Sequence, residues 1–248
     1  KLELLKIDDL LNLTLNKRKE KNLNNCYRAI SKVRKLLNKN KCLIGFCGAP
    51  WTVASYMIDG ESKKGFIRTK RLVESNKEQI KELLNKIVNV STDHLINQYK
   101  CGCDTLMIFE SWAGCVEFSD YSELLYEPVE QIIKNLRLMN VKAPIIVFPK
   151  GIGKNVVDYT NNVSADIVSI DYKTDMNWAI KNINKSIILQ GNIDPKTLLR
   201  GGKILERSVR KLMKTVSGRK HIFNLGHGIL PETPISNVHK VINIIRSN

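Results

Sequence analysis

Four short segments of this 248-residue chain combine glycine with side chains that hydrogen-bond, titrate or stack. The first runs from Gly45 to Gly60 (GFCGAPWTVASYMIDG). It reads as the end of a buried strand, a turn at Gly48-Ala49-Pro50, and a short helix closed by Gly60, since proline suits a first helical turn and glycine a C′ position. On that helix Val53, Ala54, Met57 and Ile58 share one face, and Thr52, Tyr56 and Asp59 the opposite one. Periodicity leaves two readings of Tyr56 open: a surface tyrosine capping the core, or a functional hydroxyl.

The second segment, Phe109 to Gly114 (FESWAG), follows a strand and sets Ser111 at its C-terminal lip. No G-x-S-x-G elbow surrounds that serine, so it reads as a hydrogen-bonding group rather than a nucleophile. The third, Gln190 to Pro195 (QGNIDP), offers a glycine where backbone can approach a ligand and an Asp194-Pro195 helix entrance. A structural βα turn accounts for it equally well. The fourth, Asn224 to Ile229 (NLGHGI), places His227 between two glycines at the end of the last strand, while His94, His221 and His239 lie within helix or strand patterns and read as structural.

Other chemistries lack their spacing. There is no G-x-G-x-x-G and no Gly-Lys-Ser/Thr phosphate loop, which argues against a dehydrogenase or kinase. Cys101 and Cys103 form a lone C-x-C, and Cys26, Cys42, Cys47 and Cys115 supply no second close pair, so neither a metal site nor a disulfide framework is expected. Buried free thiols in a reducing compartment are the expectation.

These segments need elements to hold them. Apolar runs rich in β-branched residues predict strands at Cys42–Phe46, Asp104–Phe109, Pro144–Phe148, Asp166–Ile170, Ser186–Leu189 and His221–Asn224. Most are continuous rather than alternating, as in parallel strands buried on both faces. Between them run amphipathic helices: Ile80, Leu83, Leu84, Ile87, Val88 and Leu95 in one, Val129, Ile132, Ile133 and Leu136 in the next. Val209, Leu212, Met213 and Val216 repeat the pattern, and Val238, Val241, Ile242 and Ile245 close the chain. The alternation predicts an α/β fold with a parallel sheet. Six βα units suit an open doubly wound sheet or an incomplete (β/α)₈ TIM barrel. The polar clusters ending nearly every strand favour the barrel, whose strand ends share one mouth. No linker divides residues 1–248, which predicts one domain; a Lys/Asn-rich stretch from Asn16 to Asn25 joins two helical patterns.

Composition sets outer bounds. Hydrophobic residues make up 43% and charged residues 26%, a globular balance without an apolar run long enough for a membrane span. The segment Lys1 to Asp9 does not resemble a secretory signal, which predicts a cytoplasmic location. The net charge of +16 suggests polyanions, but the lysines are scattered and no aromatics interleave with them, so solvated helix faces are the preferred reading and nucleic acid is not expected.

In order, Gly45–Thr52 with Ser55–Ile58, Ile108–Gly114, Gln190–Pro195 and Asn224–Gly228 resemble the uroporphyrinogen decarboxylase family, and Thr69–Arg71 and the Asp171 region agree. The resemblance covers essentially the whole chain. It implies a (β/α)₈ barrel, usually homodimeric, that removes carbon dioxide from the four acetate arms of uroporphyrinogen III to give coproporphyrinogen III for haem. It implies no metal and no organic cofactor, because the protonated pyrrole of the substrate is the electron sink. Tyr56, Ser111 and His227 match the family's cleft tyrosine, serine and histidine, expected to bond substrate carboxylates or orient the macrocycle; Phe109 matches a pocket-lining phenylalanine.

The departures are also informative. The family's catalytic aspartate and its carboxylate-gripping arginines belong to an N-terminal part that matches nothing here, so no catalytic residue is assigned, and the chain reads as the C-terminal two-thirds or more of a decarboxylase, inactive alone. The loop Gly60–Gly65, Tyr172 in place of a common tryptophan, and Cys47, Cys101 and Cys103 in place of small residues look like drift. Two rival readings are a corrinoid- or thiol-dependent methyltransferase of the same superfamily, which needs a cysteine near the last strand where this chain has Leu225-Gly-His-Gly228, and a pseudoenzyme that only binds porphyrin.

Overall fold

A computed structural model describes residues 7–12, 17–61 and 65–247. The segment before Ile7, part of the Asn16–Asn25 stretch and the middle of the Gly60–Gly65 loop lie outside the described residues. The chain runs α1 (Ile7–Leu11), α2 (Lys17–Leu36), β1 (Ile44–Gly48), α3 (Pro50–Asp59), α4 (Ile67–Ser75), α5 (Lys77–Lys100) and β2 (Thr105–Glu110). Then come α6 (Glu127–Leu138), β3 (Ile145–Pro149), α7 (Val156–Asn162), β4 (Ile167–Ser169), α8 (Met176–Asn182) and β5 (Ile188–Ile193). It ends with α9 (Pro195–Arg200), α10 (Gly202–Val216), β6 (His221–Leu225) and α11 (Ile235–Arg246). All six expected strands form.

The strands make one parallel sheet in the order β1-β2-β3-β4-β5-β6. That order settles the choice left open above. A doubly wound sheet reverses its strand order at a switch point; here every strand lies beside its sequence neighbours, as in a barrel. The sheet is not closed, so the architecture is a barrel with six of its strands.

Side chains alternate across the strands. Leu106, Ile108, Ile145, Val147, Val168 and Leu189 face the helices and join the main core with Leu83, Leu84, Ile132 and Leu136. Met107, Ile146, Phe148 and Ile167 form a separate cluster on the other face, with Phe109 and Ile188 packed against it. A third cluster, Leu198, Leu205, Val209, Val241 and Ile244, binds the last three helices to Phe223 and Leu225 of β6.

At the outer side of β1 the buried Gln98 of α5 pairs with the main chain of Phe46: its Oε1 accepts the Phe46 N–H at 2.9 Å and its Nε2 donates to the Phe46 carbonyl at 2.8 Å.

Two expectations need correction. Thr52, assigned to the polar face of α3, is buried together with Trp51, Ala54, Ser55 and Ile58, because its hydroxyl and N–H have a buried partner described below. The six thiols are free, but only Cys47 and Cys103 are buried; Cys26 and Cys42 are exposed. Burial pushes Cys47 up to about 12 and Cys103 up to about 11, which keeps both as inert thiols.

Candidate functional site

A cavity of about 850 Å³ runs from the inward face of the sheet around the edge of β6 that no described strand covers. Phe109, Ser111, Phe148, Ser169, Asn224 and His227 line its inward part, and Phe223, Leu225 and apolar side chains of α11 line its outer part. Three of the four expected site residues therefore meet in one space. The reason is period two. Ser111 lies two residues beyond Phe109, so it keeps the inward direction as β2 ends. His227 follows β6 on a loop whose approach to the loop after β4 demands glycine: a Cβ at Gly226 would lie 2.2 Å from the Tyr172 backbone nitrogen. Gly228 meets no such neighbour, so only the first of the two flanking glycines is sterically required.

Tyr56 is placed differently. It does not line the cavity; it stands on α3 at the rim, 42% exposed. Its hydroxyl accepts the indole N–H of Trp112 at 3.0 Å, and its ring packs edge-on against Phe66 and Trp112. Lys150 lies over the other part of this rim, its ammonium 5.1 Å from the centre of the Trp112 ring and 3.2 Å from His227 Nε2. Tyr56, Trp112, Lys150 and His227 thus form a continuous band along the cavity mouth. An ammonium can only donate, so Nε2 accepts and the imidazole proton resides on Nδ1. Burial, then the charge of Lys150, hold His227 below the usual histidine range, against the opposing pull of Asp171. Burial likewise lowers the Lys150 ammonium.

Glu110 points the other way. It is 1% exposed and faces α3, where its Oε1 accepts the Thr52 N–H at 3.0 Å and the Thr52 hydroxyl. The same Thr52 oxygen accepts the Trp112 N–H at 3.3 Å, and Trp51 Nε1 donates to the Trp112 carbonyl at 3.2 Å. This tie fixes α3, which carries Tyr56, to the loop that carries Ser111. Burial outweighs the two Thr52 bonds and pushes Glu110 up to about 8, so it is a neutral acid at pH 7.

Asp171, at the end of β4, is anchored rather than free. Its Oδ2 accepts the Gly151 N–H at 2.9 Å; its Oδ1 accepts the Lys173 and Thr174 N–H groups and the Thr174 hydroxyl. The Gln190–Pro195 segment is structural throughout: Gln190 donates to Ser169, Asn192 donates to the carbonyls of Asp171 and Thr174, and Asp194 caps α9. His94 and His221 are likewise structural, beside the Tyr27 hydroxyl and the Gly191 carbonyl.

Lys150 and Trp112 are the rim residues that sequence reasoning passed over. The signal was available: Lys150 follows Phe148 by two residues, as Ser111 follows Phe109. Among the described residues no cluster of three or more His, Cys, Asp or Glu has metal-binding geometry.

Comparison with known proteins shows the family of the chain. A family model described as uroporphyrinogen decarboxylase (URO-D) matches residues 2–248. The uroporphyrinogen decarboxylase of Orientia tsutsugamushi (strain Boryong) is 41% identical over 244 residues, covering 98% of this chain and 71% of that protein. Its counterpart in Rickettsia massiliae (strain Mtu5) is 40% identical over 224 residues, covering 90% and 64% respectively. Among solved structures, a methyltransferase from Methanosarcina mazei superposes with a TM-score of 0.76 over 89% of this chain and 63% of its own, at 18% identity, a likeness of fold alone.

Proposed function

The chain belongs to the uroporphyrinogen decarboxylase family, and from that premise we propose that it binds uroporphyrinogen III and serves its decarboxylation to coproporphyrinogen III in haem biosynthesis. The observation that supports this best is the convergence of Phe109, Ser111 and His227 on one cavity whose mainly apolar lining carries a few hydrogen-bonding side chains. A flat, apolar macrocycle fringed with carboxylates asks for that division: phenylalanine surfaces for the ring, hydroxyl and N–H donors for the arms. Ser111 and the Nδ1–H of His227 bond carboxylate oxygens in this reading. Tyr56, outside the cavity, meets an arm that reaches over the rim. The pyrrole supplies its own electron sink, so the protein has to orient, hold charge and deliver protons.

The acid that protonates the pyrrole is not assigned. Among the described residues none that lines the cavity carries a carboxylate; Glu110 faces away and Asp171 is spent on four donors. The 248 residues by themselves therefore bind without turning over. In the same reading they form one barrel domain of a cytoplasmic homodimer; among the described residues no helix is long and apolar enough to cross a membrane.

Anaerobic incubation with uroporphyrinogen III, followed by chromatography of the oxidised products and a parallel binding titration, tests both parts. The expected result is binding that Ser111→Ala and His227→Gln each weaken, with no loss of carboxyl groups. Formation of coproporphyrinogen at an enzymatic rate overturns the inactivity, and a folded chain that ignores the octacarboxylate overturns the function.

A further inference from the structure

Two cations near the cavity have no part in the binding proposed above, Arg246 in its lining and Lys150 beside His227, and the second is the one with a built setting. Lys150 stands just past β3, half-buried, with its ammonium over Trp112 and against His227. No carboxylate among the described residues pairs with it; its only side-chain bond goes to the imidazole. Asp171 is the acidic group whose field it feels most, but both oxygens of that carboxylate are taken by Gly151, Lys173 and Thr174. An ammonium carries three donors, so those not used on His227 stay available. Partial desolvation without a counter-ion is costly for such a group. A lysine with a purely solvating role extends into water; this one is folded inward onto an indole face, where the aromatic quadrupole holds a cation without neutralising it.

We propose that Lys150 is a binding residue that receives an anionic group of the ligand, a carboxylate, at the rim above Ser111 and His227. This rests on the reading of the cavity as a tetrapyrrole polycarboxylate site and adds, at the His227 end and apart from the cavity-lining Arg246, a cation for one carboxylate. The neutral imidazole and the ammonium then act on the ligand as a pair: Nε2 orients the lysine, and the lysine supplies the charge-assisted bond. Trp112 fixes the direction of approach, because its other edge is held by the Tyr56 hydroxyl.

The test uses the full chain and uroporphyrin, the oxidised tetrapyrrole with the same eight carboxylates, read by quenching of tryptophan fluorescence at low and high salt. Lys150→Met is expected to weaken binding about tenfold at low salt and to lose much of the salt dependence, while Lys150→Arg keeps most of the affinity. A second titration with citrate, a small tricarboxylate, follows the His227 imidazole by NMR in the unmodified chain and in Lys150→Met. Uroporphyrin binding that is the same in Lys150→Met at both salt levels overturns the assignment of Lys150 and leaves the cavity reading intact. Citrate perturbation of His227 that vanishes in Lys150→Met, with no uroporphyrin bound, supports Lys150 and overturns the tetrapyrrole. Binding of neither ligand by the folded chain overturns both.

Discussion

Replacing Glu110 by glutamine is expected to change how stability depends on pH, and the size of the change follows from burial. Glu110 is 1% exposed, its Oε1 is held by Thr52, and its Oε2 has no protein partner. Its carboxyl titrates at 4.5 in a solvated chain and at about 8 in the folded one. Below 4.5 both states are protonated and the group costs the fold nothing in charge. As pH rises toward 8 the unfolded chain releases the proton and the folded chain keeps it, so stability falls; above 8 the loss is complete. At about 1.4 kcal/mol per pH unit the full interval amounts to roughly 5 kcal/mol, which water entry into the site reduces in practice. Set against a typical stability of about 5–15 kcal/mol, that is a large share. Glutamine keeps the Thr52 acceptor and cannot ionise; its amide N–H₂ replaces a carboxyl O–H that also lacks a protein partner, so one further unpaired hydrogen adds a pH-independent cost at the low end of about 1–3 kcal/mol. Urea unfolding of both proteins across pH 5 to 9, the range bracketing the folded value, is the assay. The native chain is expected to be the more stable at pH 5, with the difference shrinking and reversing toward pH 9. Two curves that stay parallel across the range refute the reasoning.

Two further substitutions probe the supports of the mouth. Asp171→Ala strands the N–H groups of Gly151, Lys173 and Thr174 and is expected to cost about 3 kcal/mol in denaturant unfolding, with uroporphyrin affinity falling as the Lys150 loop loosens. Gly226→Ala drives a methyl into the Tyr172 backbone; a loss of about 2–3 kcal/mol is expected, read as a lower Tm, while Gly228→Ala, with nothing within 4 Å, leaves Tm unchanged.

Strand positions were legible because buried parallel strands are largely continuous apolar runs, although β1 and β5 extend past the ends of theirs. β5 outran its expected end: the side-chain amide of Gln190 is satisfied by Ser169 and that of Asn192 by the carbonyls of Asp171 and Thr174, so polar residues stay in the strand through bonds that apolar patterning cannot see. The helical pattern expected after Asn25 starts earlier, at Lys17, inside the Lys/Asn-rich stretch read as a join, because lysines and arginines favour helix while breaking the apolar rhythm. Thr52 misled the helical wheel, since a threonine bonded to a buried acid counts as polar by type and as core by position. Phe109, Ser111 and His227 were legible as strand-end residues. The displacement of Tyr56 from the cavity was not, because it depends on how α3 is rolled by the Glu110–Thr52 tie.

The amide of Gln98 has a wider consequence. β1 pairs only with β2 among the described residues, so its outer side is an open template for any extended segment that meets it. Gln98 occupies both backbone groups of Phe46, the middle residue of this five-residue strand. An incoming strand is left with a short stretch on either side of a blocked centre, too little for a continuous ladder. One buried glutamine thereby works as a stopper against runaway strand addition, and sets the condition under which the sheet accepts a genuine neighbour: that neighbour must first displace the amide.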